Sequence, residues 1–123
     1  MRMMLRIHLD AIHGSAALKS GALQKAIGAF EEKFKPEATY FSLERGERTG
    51  FFVFDMKDSN QCPTVAEAFF DVGCDIHLSP CMTVDDLRAG LGAAGLARRF
   101  ASRSSIRVAN GRALTEAAGL ASN

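Results

Sequence analysis

The segment ATYFSLERGERTGFFVFDM, residues 38–56, decides the fold. Ala38 to Glu44 and Thr49 to Met56 are rich in aromatic and β-branched residues. The polar stretch Arg45, Gly46, Glu47 and Arg48 between them holds a glycine where a hairpin needs a positive φ. Two adjacent antiparallel strands are therefore predicted. The run Phe51, Phe52, Val53, Phe54 has no polar member, which predicts a strand that is apolar on both faces and central in its sheet.

Upstream, Met3, Leu5, Ile7 and Leu9 alternate with Met4, Arg6, His8 and Asp10, the period-two pattern of a first strand with one apolar and one polar face. After Gly14, Leu18, Leu23, Ile27, Phe30 and Phe34 recur at helical spacing and predict one helix running to about Lys35, where Pro36 forces a turn. Downstream, Pro63 and the pair Thr64 and Glu67 read as a capping box that opens a second helix with Val65, Ala68, Phe69 and Val72 inward, closed by Gly73. Cys74 to Cys81 alternates again as a fourth strand, with Ile76 and Leu78 on one side and Asp75, His77 and Ser79 on the other. Thr83 and Asp86 repeat the capping logic for a short third helix. Asn110 and Gly111 mark a turn, and Arg112 to Leu120 has the composition of a last helical piece.

A chain of 123 residues fits one core of ordinary size, and 47% hydrophobic with 24% charged residues argues against disorder. The division expected is a folded domain over residues 1–96 and an Arg/Ala/Ser-rich extension over 97–123. Up to Leu96 there are 10 Lys and Arg against 13 Asp and Glu, whereas the extension holds five Arg against Glu116 alone. No stretch approaches the roughly 20 apolar residues of a membrane span, and Asp10 interrupts the N-terminus before any signal-like run. No membrane partner and a cytoplasmic location are expected. Cys62, Cys74 and Cys81 are odd in number and lack paired spacing, so they read as reduced, packed thiols.

Strand, helix, strand, strand, helix, strand is the order of the ferredoxin-like fold: an α+β domain whose four-stranded antiparallel sheet carries two helices on one face. The other face is then bare and too apolar for a monomer, which predicts a homodimer. With its opening Met3 to Asp10, its segment Lys35, Pro36, Glu37, Ala38, Tyr40, and its closing strand running into Pro80 and Met82, the chain resembles small bacterial proteins of the dimeric α+β barrel superfamily over Met1 to about Leu91. That superfamily includes cofactor-free monooxygenases, lactone isomerases, haem-using enzymes and proteins with no assigned activity. The resemblance thus implies a cavity without choosing a reaction.

If Leu5, Ile7 and Leu9 face the helices, Arg6, His8 and Asp10 face the barrel side, together with Asp75, His77 and Ser79. The first and fourth strands are neighbours in this topology, so His8 and His77 are candidate catalytic bases, with Arg6, Tyr40 and Asp10 as ligand-binding candidates. A solvated polar face is the plainer alternative for the same residues. No metal site is expected, because the histidines lie on separate strands without local ligand spacing, and no cofactor motif is present. Nucleic acid is disfavoured as a partner: Asp55 stands where an RNA-recognition strand needs an aromatic, the first strand offers no stacking ring, and the body is acidic. The expected function is binding of a small, partly apolar molecule by a homodimer. The alternatives are a cofactor-free monooxygenase or isomerase using a barrel-face histidine, and a structural or regulatory dimer without a pocket.

Overall fold

The computed structural model describes residues 1–96, 109–110 and 112–113. The chain clusters into two compact units, Met1–Cys81 and Met82–Asn123. Strand β1 (Arg2–Leu9) alternates as its sequence requires, with Met3, Leu5, Ile7 and Leu9 buried. β2 (Ala38–Glu44) and β3 (Glu47–Asp55) form a hairpin across Arg45 and Gly46, at φ 54° and 76°. Two successive positive φ values make the turn that matches the twist of paired strands. β3 therefore begins two residues earlier than its composition suggests, and this shift assigns the faces of Glu47 and Arg48. β4 (Asp75–Pro80) completes one antiparallel sheet in the order β2-β3-β1-β4, with β1 and β3 central.

β3 is not apolar-packed on both sides to the same degree. Phe52 and Phe54 are 0% and 1% exposed on one face, while Phe51 and Val53 on the other are half-buried. The difference follows the helices, which lie on the Phe52 side alone in the unit Met1–Cys81: the buried cluster joins Leu5, Phe52 and Phe54 to Ala17, Phe30 and Phe69.

The single helix expected up to Lys35 is two. Asp10 caps α1 (Ala11–Ser20) by accepting from the His13 backbone N–H, so the helix starts ahead of Gly14. Gly21, at φ 80°, ends α1 and opens α2 (Ala22–Phe34). α2 ends at Lys35, whose N–H donates to Glu31 just before Pro36. α3 (Cys62–Asp71) also starts early, after a single 3-10 turn at Ser59–Gln61, with Pro63 in its first turn, where a missing N–H is harmless. Thr64 and Glu67 therefore lie inside the helix and are not its capping box. Its end is as expected: Gly73, at φ 92°, donates to the Phe70 carbonyl and Cys74 to the Phe69 carbonyl, satisfying two end groups.

In the second unit, α4 (Val84–Ala93) opens on the expected reciprocal cap, with Asp86 N–H on Thr83 Oγ1 and Thr83 N–H on Asp86 Oδ2, each at 3.1 Å. Strands β5 (Ala109–Asn110) and β6 (Arg112–Ala113) pair with each other, so Arg112 and Ala113 are extended where a helix was expected. The remainder of the predicted helix lies outside the described residues, as does most of the basic extension.

Candidate functional site

Residues directly opposite one another in antiparallel strands share a face. His77 pairs with Arg6, Arg6 with Phe51, and Phe51 with Tyr40, which makes one row across all four strands on the face opposite α1–α3. The next row is Asp75, His8, Thr49 and Ser42. The two histidines, 69 positions apart, come together because β1 and β4 are neighbours: their ring centroids lie 5.5 Å apart, edge to face.

Glu44 and Glu47, at the two ends of the hairpin turn, lean over the same end of this face. Glu44 Oε1 is 3.6 Å from Arg6 Nη1 and 3.5 Å from His8 Nε2. Thr49 Oγ1 donates to the Glu47 carbonyl at 3.1 Å and lies 3.3 Å from His8 Nδ1. Nδ1 therefore faces Thr49 and Nε2 faces the Glu44 carboxylate, with the donor at each nitrogen set by the tautomer. With its side chain 15% exposed, His8 has a polar neighbour at each ring nitrogen. His77 is exposed, and its ring nitrogens have no hydrogen-bond partner among the described residues. Arg6, His8, Glu44, Glu47 and His77 line a concave cleft of about 580 Å³, completed by Arg45 and Asp75. Arg6 Nε is buried and has no hydrogen-bond partner among the described residues, leaving one strong donor uncommitted in the cleft wall.

The structure thus brings Arg6, His8 and His77 into one cleft. Tyr40 shares the row of Arg6 but stands beyond Phe51, 70% exposed and outside the cleft. Asp10 is elsewhere: the strand ends at Leu9, so alternation no longer governs the next residue, and its carboxylate caps α1 and contacts His13 Nδ1 at 2.8 Å. Glu44 and Glu47 were missed as cleft residues. The signal for Glu44 was its alternation with Tyr40 and Ser42 along β2, and for Glu47 the two-residue turn that pairs it with Glu44.

The backbone N–H of His13, and after it the His13 ring, hold the Asp10 carboxyl below its ordinary value of 3.8. A carboxyl depressed by folding contributes stability above its unfolded value and loses it as pH falls through its folded value. Asp10→Asn, which keeps a capping oxygen and removes the charge, is expected to melt lower than the wild type at neutral pH. The gap should close as the pH drops below 3.8. Thermal melts across that range check this, and a gap unchanged in strong acid would assign the effect to shape instead of charge.

Among the described residues no group of three or more His, Cys, Asp or Glu side chains is placed to hold a metal ion, and no helix is long and apolar enough to cross a membrane. Cys62, Cys74 and Cys81 are free thiols. Burial, with a smaller contribution from Asp75, pushes the Cys74 thiol up to about 11, so it is not a nucleophile near neutrality. No protein-family model matches the chain, and no curated protein is significantly similar to it.

Proposed function

We propose that the chain is a homodimer of ferredoxin-like protomers, related to the dimeric α+β barrels, that binds a small, partly apolar molecule in the Arg6–His8–His77 cleft. The carrying observation is the make-up of one sheet face. Met4, Phe51 and Val53, all half-buried, and exposed Tyr40 form an apolar stretch that runs into the charged cleft. An apolar stretch of this kind suits a second copy and the body of a ligand, while Arg6 and the imidazoles suit its polar end. The strand order β2-β3-β1-β4, with helices on the opposite face, supports the ferredoxin-like assignment. Three free thiols suit a reducing compartment such as the cytoplasm.

An enzymatic version of the same site rests on one specific feature. His77 is exposed and without a hydrogen-bond partner among the described residues, whereas His8 is mostly buried between Thr49 and Glu44, so His77 is the better general base, His8 its neighbour in the wall and Arg6 the holder of an anionic group.

Native mass spectrometry of the purified chain tests the proposal, since subunit number and any retained compound are read together. A dimer carrying a small molecule is expected, with retention reduced at least about tenfold in Arg6→Gln and His77→Gln, in line with the loss of a charge-assisted contact. A monomer, or a retained compound indifferent to both substitutions, would reject the assignment.

A further inference from the structure

We propose a second binding site, in the groove between the sheet and the α1–α2 helix pair, for an uncharged, hydrocarbon-like molecule of about ten carbons without a strong hydrogen-bonding group. It shares no lining residue with the sheet-face cleft, so either site can fail without the other.

A cavity of about 300 Å³ lies here. Buried Ile7, Leu9 and Leu23 and half-buried Ile27 make its inner wall, and Leu18 near the end of α1 and Phe41 of β2 make its rim. Leu18 is 38% and Phe41 60% exposed. A helix layer packed on a sheet at ordinary interior density leaves no space of this size, and Gly50 accounts for it in part. Phe41 and Ile7 flank Gly50 in the same row of the sheet. A Cβ at Gly50 would sit 3.1 Å from Ile7 and 3.2 Å from Phe41, so the Phe41 ring lies against bare backbone. It packs edge-on to Phe52, with centroids 6.0 Å apart, and leaves the gap toward the helices unfilled. At roughly 30 Å³ per water-sized group the gap holds on the order of ten heavy atoms.

The wall has almost no polar surface, and the polar residues that border it are turned elsewhere. The Arg48 guanidinium packs against Gly14 and donates to Ser15 Oγ at 3.4 Å. The Thr49 hydroxyl donates to the Glu47 carbonyl and lies beside His8 on the opposite side of the sheet. Ser42 pairs with Thr49 across the strands and so shares that opposite face. A charged ligand group in the groove would therefore lose its water and meet no counter-charge, and a hydroxyl or amide would lose hydrogen bonds without replacing them. A hydrocarbon loses nothing of this kind. It gains by removing the apolar rim of Leu18 and Phe41 from water. The concave shape, walled by strands on one side and helices on the other, suits an inserted small molecule better than the surface of a second copy.

Equilibrium dialysis of the purified chain against naphthalene, 2-naphthoate and 2-naphthyltrimethylammonium tests this, because the probes share one fused-ring body and differ in charge. Naphthalene is expected to bind once per chain and at least about a hundredfold tighter than either ion. Leu18→Trp, which fills the groove from its rim, and Phe41→Ala, which removes its outer wall, should each weaken naphthalene about tenfold, with circular dichroism confirming the fold. The comparison of probes on the wild type decides the matter should a variant not fold. Absence of naphthalene binding, or an ion bound as tightly, overturns the proposal. So does unchanged affinity in the folded variants, or a loss caused by Phe51→Glu instead, which would place the ligand on the other face. A changed subunit number in Leu18→Trp would give the groove to a second copy and overturn it as well.

Discussion

Phe52→Ala is expected to remove about 3–5 kcal/mol of folding stability, most of what a domain of this size holds in reserve. The ring is 0% exposed and lies within aromatic contact of three others, with centroids 5.0 Å from Phe30, 6.0 Å from Phe41 and 6.1 Å from Phe69. These partners come from α2, β2 and α3, so the one side chain ties two helices and the edge strand to the sheet centre. Truncation leaves a void that Phe30 fills poorly, because it is also engaged with Phe34 and Phe54. Thermal or urea unfolding reads the effect, expected as a drop of roughly 15–30 °C in Tm. A loss below about 1 kcal/mol, the typical effect of a point substitution, would mean that the helix-side core packs differently.

Its neighbour should behave in the opposite way. Phe51→Glu is expected to leave the protomer folded and to disrupt the proposed homodimer, with association weakened at least a hundredfold, the scale on which a central apolar anchor contributes to an interface. Phe51 stands mid-row between Arg6 and Tyr40 on the face without helices, half-buried within its own chain. A carboxylate there meets the Arg6 guanidinium directly across the strand pair, so the single chain tolerates it. Two such carboxylates brought together in the proposed dimer repel each other and lose their water, and an Arg6 already 3.6 Å from Glu44 does not offset that cost. Sedimentation velocity at micromolar concentration reads the outcome. A variant that still dimerises at wild-type strength would place the contact elsewhere on the molecule. The contrast between residues 51 and 52 is sharp because a β-strand turns adjacent side chains to opposite faces, so one position tests the fold and the next tests the association.

How much of this was legible beforehand differs from element to element. The β1 alternation and the hairpin read correctly because strand period and turn chemistry are local. The Thr83–Asp86 cap and the Gly73 stop were legible for the same reason. The break at Gly21 was not. One glycine in a helical pattern costs only about 1 kcal/mol relative to alanine, and the apolar spacing of Leu18, Leu23 and Ile27 continues through it, so packing decides whether the helix runs on or bends. Asp10 shows a different failure. Alternation was extended one residue past the end of the strand, although Asp10 followed three positions later by His13 already had the form of a helix cap. For the cleft, the facing of Arg6, His8, His77 and also Glu44 followed from their own strands, while Glu47 depended on a strand start that composition placed two residues too late.

By itself, then, the sequence determined the element types over residues 1–96, the inward and outward residues of β1 and β4, and the acidic character of that part, because each of these depends on neighbours within a few positions. The tertiary structure alone decided that Glu44 reaches both Arg6 and His8, that Thr49 lies against the His8 ring, and that the Arg48 guanidinium packs against Gly14. Those contacts join residues tens of positions apart through strand register and helix packing. Neither is a property of any one stretch of chain.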